Sequence, residues 1–151
     1  MPGGKWVAAA CLAVLAACSE EGPAEPVVGE QMELAAARGL WNAHGSDDYR
    51  MTVRLTGAWW NGAAVIWVRN GVPVAVQSVA GGSEVPREVW RSYDTVDELF
   101  ALVERAVQEN AHFLAAEYHS SYGLPVDVFV DMRQNMVDDE QGFIVETFDR
   151  P

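Results

Sequence analysis

Apolar residues recur at three- and four-residue steps between Val96 and Val107, where Val96, Leu99, Phe100, Val103, Ala106 and Val107 mark one face of a helix. Thr95 stands at the N-cap position with Glu98 three residues on, the spacing of a capping box. Asp97 and Glu98 place negative charge in the first turn, against the positive helix end. Asn110 closes the pattern. An earlier helix is predicted over residues 30–43, with Met32, Ala35, Ala36, Leu40 and Ala43 as its stripe and Gly45 available as a left-handed C-cap.

Elsewhere the period drops to two. Tyr49, Met51, Val53 and Leu55 alternate with Arg50, Thr52 and Arg54, which predicts a strand with one face inward. Residues 63–69 form a second strand, and Asn70-Gly71 is a strong hairpin signal. Val72, Val74 and Val76 make a third, with Pro73 arguing for an edge. Residues 113–118 lead into the turn Ser120-Ser121-Tyr122-Gly123-Leu124-Pro125, after which Val126, Val128 and Val130 alternate with Asp127, Phe129 and Asp131. In the last strand Phe143, Val145 and Thr147 alternate with Ile144, Glu146 and Phe148. Helix, three strands, helix, three strands predicts an α+β fold, an antiparallel sheet of about five to six strands with two helices on one face.

The N-terminus follows another logic. Lys5 precedes an apolar run from Trp6 to Ala17, the length of a signal-peptide core and short for a membrane span. It ends in Leu15-Ala16-Ala17-Cys18, which resembles the bacterial lipoprotein signal, with Cys18 acylated and left as the first mature residue. Residues 1–17 are then signal peptide, residues 18–29 an acidic Gly/Pro-containing tether, and residues 30–151 a single domain. The expected location is the cell envelope, anchored to a bilayer through Cys18. In a diderm, Ser19 after the anchor resembles the outer-membrane-sorted lipoproteins; otherwise the outer face of the cytoplasmic membrane is expected.

That processing removes Cys11 and commits Cys18, which excludes zinc–cysteine sites, thiol nucleophiles and disulfides from the domain. It also removes the only lysine, leaving nine arginines against twenty-two acids and a formal charge near -13. Such a surface disfavours nucleic acid.

Leu40-Trp41 with Asp48-Tyr49-Arg50, Val68-Arg69-Asn70-Gly71, Thr95-Val96-Asp97-Glu98-Leu99-Phe100, and Tyr118 with Tyr122-Gly123-Leu124-Pro125 resemble, in order and spacing, the uncharacterised domain DUF6174 of small bacterial lipoproteins and secreted proteins. Asp131 and Asp138-Asp139-Glu140 with Phe143 extend the likeness, which covers roughly residues 35–149. The resemblance implies a fold and no mechanism. Relatives often carry a Cys-x-Cys-like pair after the first strand; residues 56–62 here contain no cysteine and present Trp59-Trp60 instead.

Four tryptophans, Trp59, Trp60, Trp67 and Trp90, are candidates for a binding surface, since aromatic anchors dominate interface energetics. If Trp67 projects from the sheet face opposite the helices, that face is an aromatic platform. Asp131, Asn135, Asp138, Asp139 and Glu140 form a weak candidate calcium site, opposed by Arg133 and lacking the glycine of an EF-hand loop. His44, His112 and His119 are too scattered to predict zinc unless the sheet gathers them, with Glu117 as a fourth ligand. His119 beside Ser120 and Ser121 lacks a nucleophile-elbow pattern, and Asp127 and Asp131 share a strand face that could place two carboxylates in a groove. The balance favours a noncovalent binding or interaction module, with an envelope protein as a candidate partner. The alternative is a small extracytoplasmic hydrolase or cation-binding protein.

Overall fold

The computed structural model describes residues 28–79, 85–134, 136 and 139–151. Cys18, most of the tether, Asn135 and Asp138 lie outside the described residues. Helix α1 (Val28–His44) leads into β1 (Tyr49–Leu55), β2 (Ala63–Arg69) and β3 (Val72–Ser78). A short helix α2 (Arg87–Trp90) and helix α3 (Val96–Gln108) precede β4 (Phe113–Tyr118), β5 (Pro125–Asp131) and β6 (Gln141–Asp149). The six strands form one sheet in the order β3-β2-β1-β6-β5-β4, with every neighbouring pair antiparallel. Two meanders thus meet through the first and last strands.

The connection between them runs from one sheet edge to the other. Five inter-strand spacings of ~4.8 Å separate β3 from β4, about 24 Å. The thirteen residues of α3 bridge part of that distance, starting beside Tyr49 of β1 and packing on β5 and β4. The helix can do so because both ends are satisfied. Thr95 Oγ1 accepts from the Glu98 N–H at 3.1 Å, and Tyr49 Oη accepts from the Val96 N–H at 2.8 Å. At the other end Asn110 takes φ 51°, the Ala111 N–H reaches Ala106 O at 2.9 Å and the Asn110 N–H reaches Val107 O at 3.3 Å. That is a Schellman cap with asparagine in the left-handed position.

Helix α1 turns a different face inward from the one its periodicity suggested. Met32, Ala35, Ala36, Leu40 and Ala43 are exposed, and Leu34, Ala37 and Trp41 are buried. The alanine-rich sequence supports either stripe, and the bulky pair Leu34 and Trp41 decides between them. Trp41 meets Tyr49 edge-on at 5.8 Å and Phe148 at 5.9 Å. Arg38, beside this face, bonds Asp97 and Glu104 and lies 4.1 Å over the Phe100 ring, fastening α1 to α3.

One core lies between the helices and the inner sheet face, built on Met51, Val53, Leu55, Ile66, Val68, Val128, Val130 and Phe143 with Leu99, Phe100 and Val103 of α3. The hairpin at Asn70-Gly71 has both residues at positive φ, 51° and 71°, as a type I′ turn requires. In β6 the simple alternation fails. The register with β1 shifts between Thr52 and Val53, so Val145 and Phe148 both lie on the inner side, opposite Val53 and Met51, and Thr147 faces outward opposite Thr52. A bulge at Glu146 absorbs the extra residue.

Candidate functional site

The loop between β1 and β2 is held against the entry to β6. The Thr56 N–H donates to Gly142 O at 2.9 Å and the Ala58 N–H to Glu140 O at 3.3 Å. Glycine is required at 142, because a Cβ there would stand 2.5 Å from Val128 O and 2.7 Å from Thr56 Oγ1. This close approach of three strands brings Trp59 and Trp60 beside Asp139 and Glu140. The hairpin and acidic candidates, eighty residues apart in the chain, share one cleft.

The cleft encloses about 320 Å³. Leu55 and Gly142 belong to the sheet side, Val89, Ser92 and Tyr93 come from α2 and the turn after it, and Leu102 and Arg105 come from α3. Leu102 and Arg105 share a helix face at three-residue spacing, which puts an apolar wall and a cation side by side. Tyr93 is buried, set edge-on to Phe143 at 6.1 Å. Burial pushes its hydroxyl pKa up, and the Arg105 charge pulls the other way. Both carboxylate oxygens of Asp139 are shielded from solvent and have no hydrogen-bond partner among the described residues. Trp59 is 69% exposed and Trp60 40% exposed, so the rings form the outer wall.

The remaining candidates separate. Trp90 is 3% exposed and belongs to the core, not to a surface. Trp67 projects from the outer sheet face, opposite Arg50 in register. A continuous aromatic platform does not form there. Between Trp67 and the Phe113–Phe129 pair run β1 and β6, whose outer faces carry the ion pairs Arg50–Asp149 and Arg54–Glu146 and the Thr52–Thr147 hydroxyl bond. Asp131 Oδ1 accepts from the Arg133 N–H at 3.0 Å, closing a local turn.

His112 and His119 flank β4 at opposite ends, ~23 Å apart along an extended chain, and His44 ends α1. No group of three or more His, Cys, Asp or Glu side chains able to hold a metal ion occurs among the described residues. His119 Nδ1 accepts from the Ser121 and Tyr122 N–H groups at 3.2 and 3.3 Å, and its ring stacks on Tyr122 at 4.7 Å. The imidazole therefore shapes the turn before β5. Asp127 and Asp131 lie four residues apart on one strand, ~13 Å, beyond the spacing of a glycosidase pair.

Sequence reasoning missed Tyr93, Leu102 and Arg105 as cleft residues. Leu102 and Arg105 fall just outside the apolar stripe of α3, and only the path of that helix across the sheet turns them toward the Trp59–Trp60 loop. Among the described residues no helix is long and apolar enough to cross a membrane.

Neither a curated protein nor a solved structure gives a significant match to the chain. A family model does, over residues 33–150. The capped α3, the Asn70-Gly71 hairpin and the acidic entry to β6 all lie inside that span, and the chain belongs to DUF6174, a family of unknown function.

Proposed function

We propose that this protein is an exported, lipid-anchored cell-envelope domain that binds a small ligand noncovalently in the cleft beneath Trp59 and Trp60. One observation carries the reading: the fold gathers two exposed indole rings, the Arg105 cation and the apolar side chains of Leu55, Val89 and Leu102 around a single concavity. A concave site with apolar walls and a few convergent polar groups is the usual form of a small-molecule site. The anchor follows from Leu15-Ala16-Ala17-Cys18, and the acidic tether would hold the domain off the bilayer surface. The hydrolase reading is weaker, since His119 Nδ1 is committed to backbone N–H groups and the strand carboxylates are too far apart.

The test is a thermal-shift screen of the full chain, purified in detergent, against small organic anions, neutral sugars and amines. Binding is expected for at least one class and is expected to be lost in Trp60→Ala. No stabilisation by any class, or stabilisation indifferent to Trp60, overturns the cleft as the site. Metabolic labelling with a fatty-acid probe, comparing Cys18→Ser, checks the anchor; equal labelling of both chains would remove it.

A further inference from the structure

We infer that the open edge of β4 is a docking surface for an extended basic segment of a partner polypeptide, which adds a strand to the sheet there. The surface shares no residue with the Trp59–Trp60 cleft and stands independently of it. β4 ends the sheet on its side. The His112 N–H donates to Met132 O at 3.4 Å, and hydrogen-bonded positions alternate along an antiparallel pair. Leu114 and Ala116 therefore bond β5, while Phe113, Ala115 and Glu117 turn their N–H and C=O groups outward. Such a row is a template for strand addition. The strand carries no proline and stays in register with β5 from Phe113 to Glu117. The opposite edge is blunted, because Pro73 of β3 has no N–H to give and the register breaks between Trp67 and Val68.

Charge chooses the occupant. On the outer face Glu117 stands directly opposite Asp127, a like-charged pair of the kind that costs stability. Elsewhere on that face Asp149 and Glu146 meet Arg50 and Arg54 on the adjacent strand. Glu117 and Asp127 form no ion pair among the described residues. Asp127 faces Ile144 on its other side, so the neighbouring position left for a cation is the one beyond Glu117. On the inner face a groove of about 190 Å³ has Leu114, Ala116 and Tyr118 as its floor and Glu30 and Glu33 of α1 as its wall. Burial pushes the Tyr118 hydroxyl up to about 12, and the Glu33, Glu30 and Glu104 charges add to the rise. An incoming strand thus meets carboxylates on both faces. Lysine or arginine stems would cover the apolar floor while their charged heads reach the glutamates. A second copy of β4 would set the same carboxylates against one another, and the tether, with Glu20, Glu21 and Glu25, has the wrong sign.

The test is fluorescence anisotropy of a labelled octapeptide of alternating lysine and valine, titrated with the full chain in an uncharged detergent. The same peptide with glutamate for lysine is the control. The lysine peptide is expected to bind about tenfold or more tightly, since like charges across an interface are strongly disfavoured. At saturation, hydrogen exchange at the Phe113, Ala115 and Glu117 amides should slow, because those N–H groups acquire acceptors. Glu117→Lys should weaken binding by about fivefold or more. It should also keep or raise the melting temperature, because Asp127 then faces an opposite charge. Trp60→Ala should leave peptide binding unchanged, which separates this surface from the cleft. Equal affinity for the two peptides, full affinity in Glu117→Lys, or binding that leaves those three amides unprotected overturns the inference. So does a lysine peptide that does not bind, or one whose binding depends on Trp60.

Discussion

Replacing Tyr49 by phenylalanine removes one oxygen atom and leaves the aromatic packing in place. That oxygen accepts from the Val96 N–H at 2.8 Å, across forty-seven residues of sequence. Val96 is the first helical residue of α3 and has no intrahelical acceptor for its N–H. Its 1% exposure leaves water no route to substitute. The ring contacts of Tyr49 with Trp41 and Phe148 survive the change, so no large cavity opens. The cost is therefore that of an orphaned buried N–H, about 1–3 kcal/mol. For a domain of this size that lowers Tm by roughly 4–12 °C. Urea melts should show a lower midpoint at unchanged slope, and hydrogen exchange at the Val96 amide should accelerate more than at Glu98, which keeps its Thr95 cap. A loss under about 0.5 kcal/mol with unaltered Val96 exchange would show that Tyr49 does not position α3.

Other outcomes follow from the same packing. Leu99→Ala should cost about 2–5 kcal/mol as a fully buried truncation, while Trp60→Ala, at a 40% exposed loop position, should cost under about 1 kcal/mol; comparable losses in a urea melt would relocate the loop into the core. Gly142→Ala should disturb β5, β6 and the β1–β2 loop together, because the new Cβ meets backbone at Val128; a variant with wild-type Tm and unchanged Trp59 and Trp60 fluorescence would contradict the close approach. Burial pushes the Tyr49 and Tyr118 hydroxyls up to about 12 from the ordinary 10.0. Unfolded tyrosines ionise first, so this stability is fully present below about pH 10 and is lost as pH rises from there to about 12. Urea melts across that window should show the fall, and it should be shallower in Tyr118→Phe.

Most of the fold was legible from local patterns. The strand ranges 49–55, 63–69 and 113–118 follow from alternation and turn chemistry, and α3 from its cap and stripe. Pro73 does lie on an edge strand. The sequence does not fix the buried face of α1, because alanine carries too little hydrophobic contrast. The alternation of β6 departs from period two because a bulge depends on the partner strand, which the sequence of β6 alone does not carry. Of the site, Trp59, Trp60, Asp139 and Glu140 were visible as residue types, but not their meeting. Trp90 is a surface candidate by residue type alone, since an isolated tryptophan carries no sign of its burial. Short helix α2 is not legible in the sequence, having only four residues and no periodicity to display.

The pairing of β1 with β6 has a consequence for how the chain reaches this state. Thr52 and Thr147, whose hydroxyls meet across the central seam, stand 95 residues apart. Contacts of such long range are slow to form, because chain-closure entropy is lost before they are made. The β1–β2–β3 and β4–β5 hairpins can assemble as soon as they emerge, but the middle of the sheet stays open until residues 141–149 arrive. A chain threaded across a membrane N-terminus first would hold its halves unjoined throughout transit and close only on the far side.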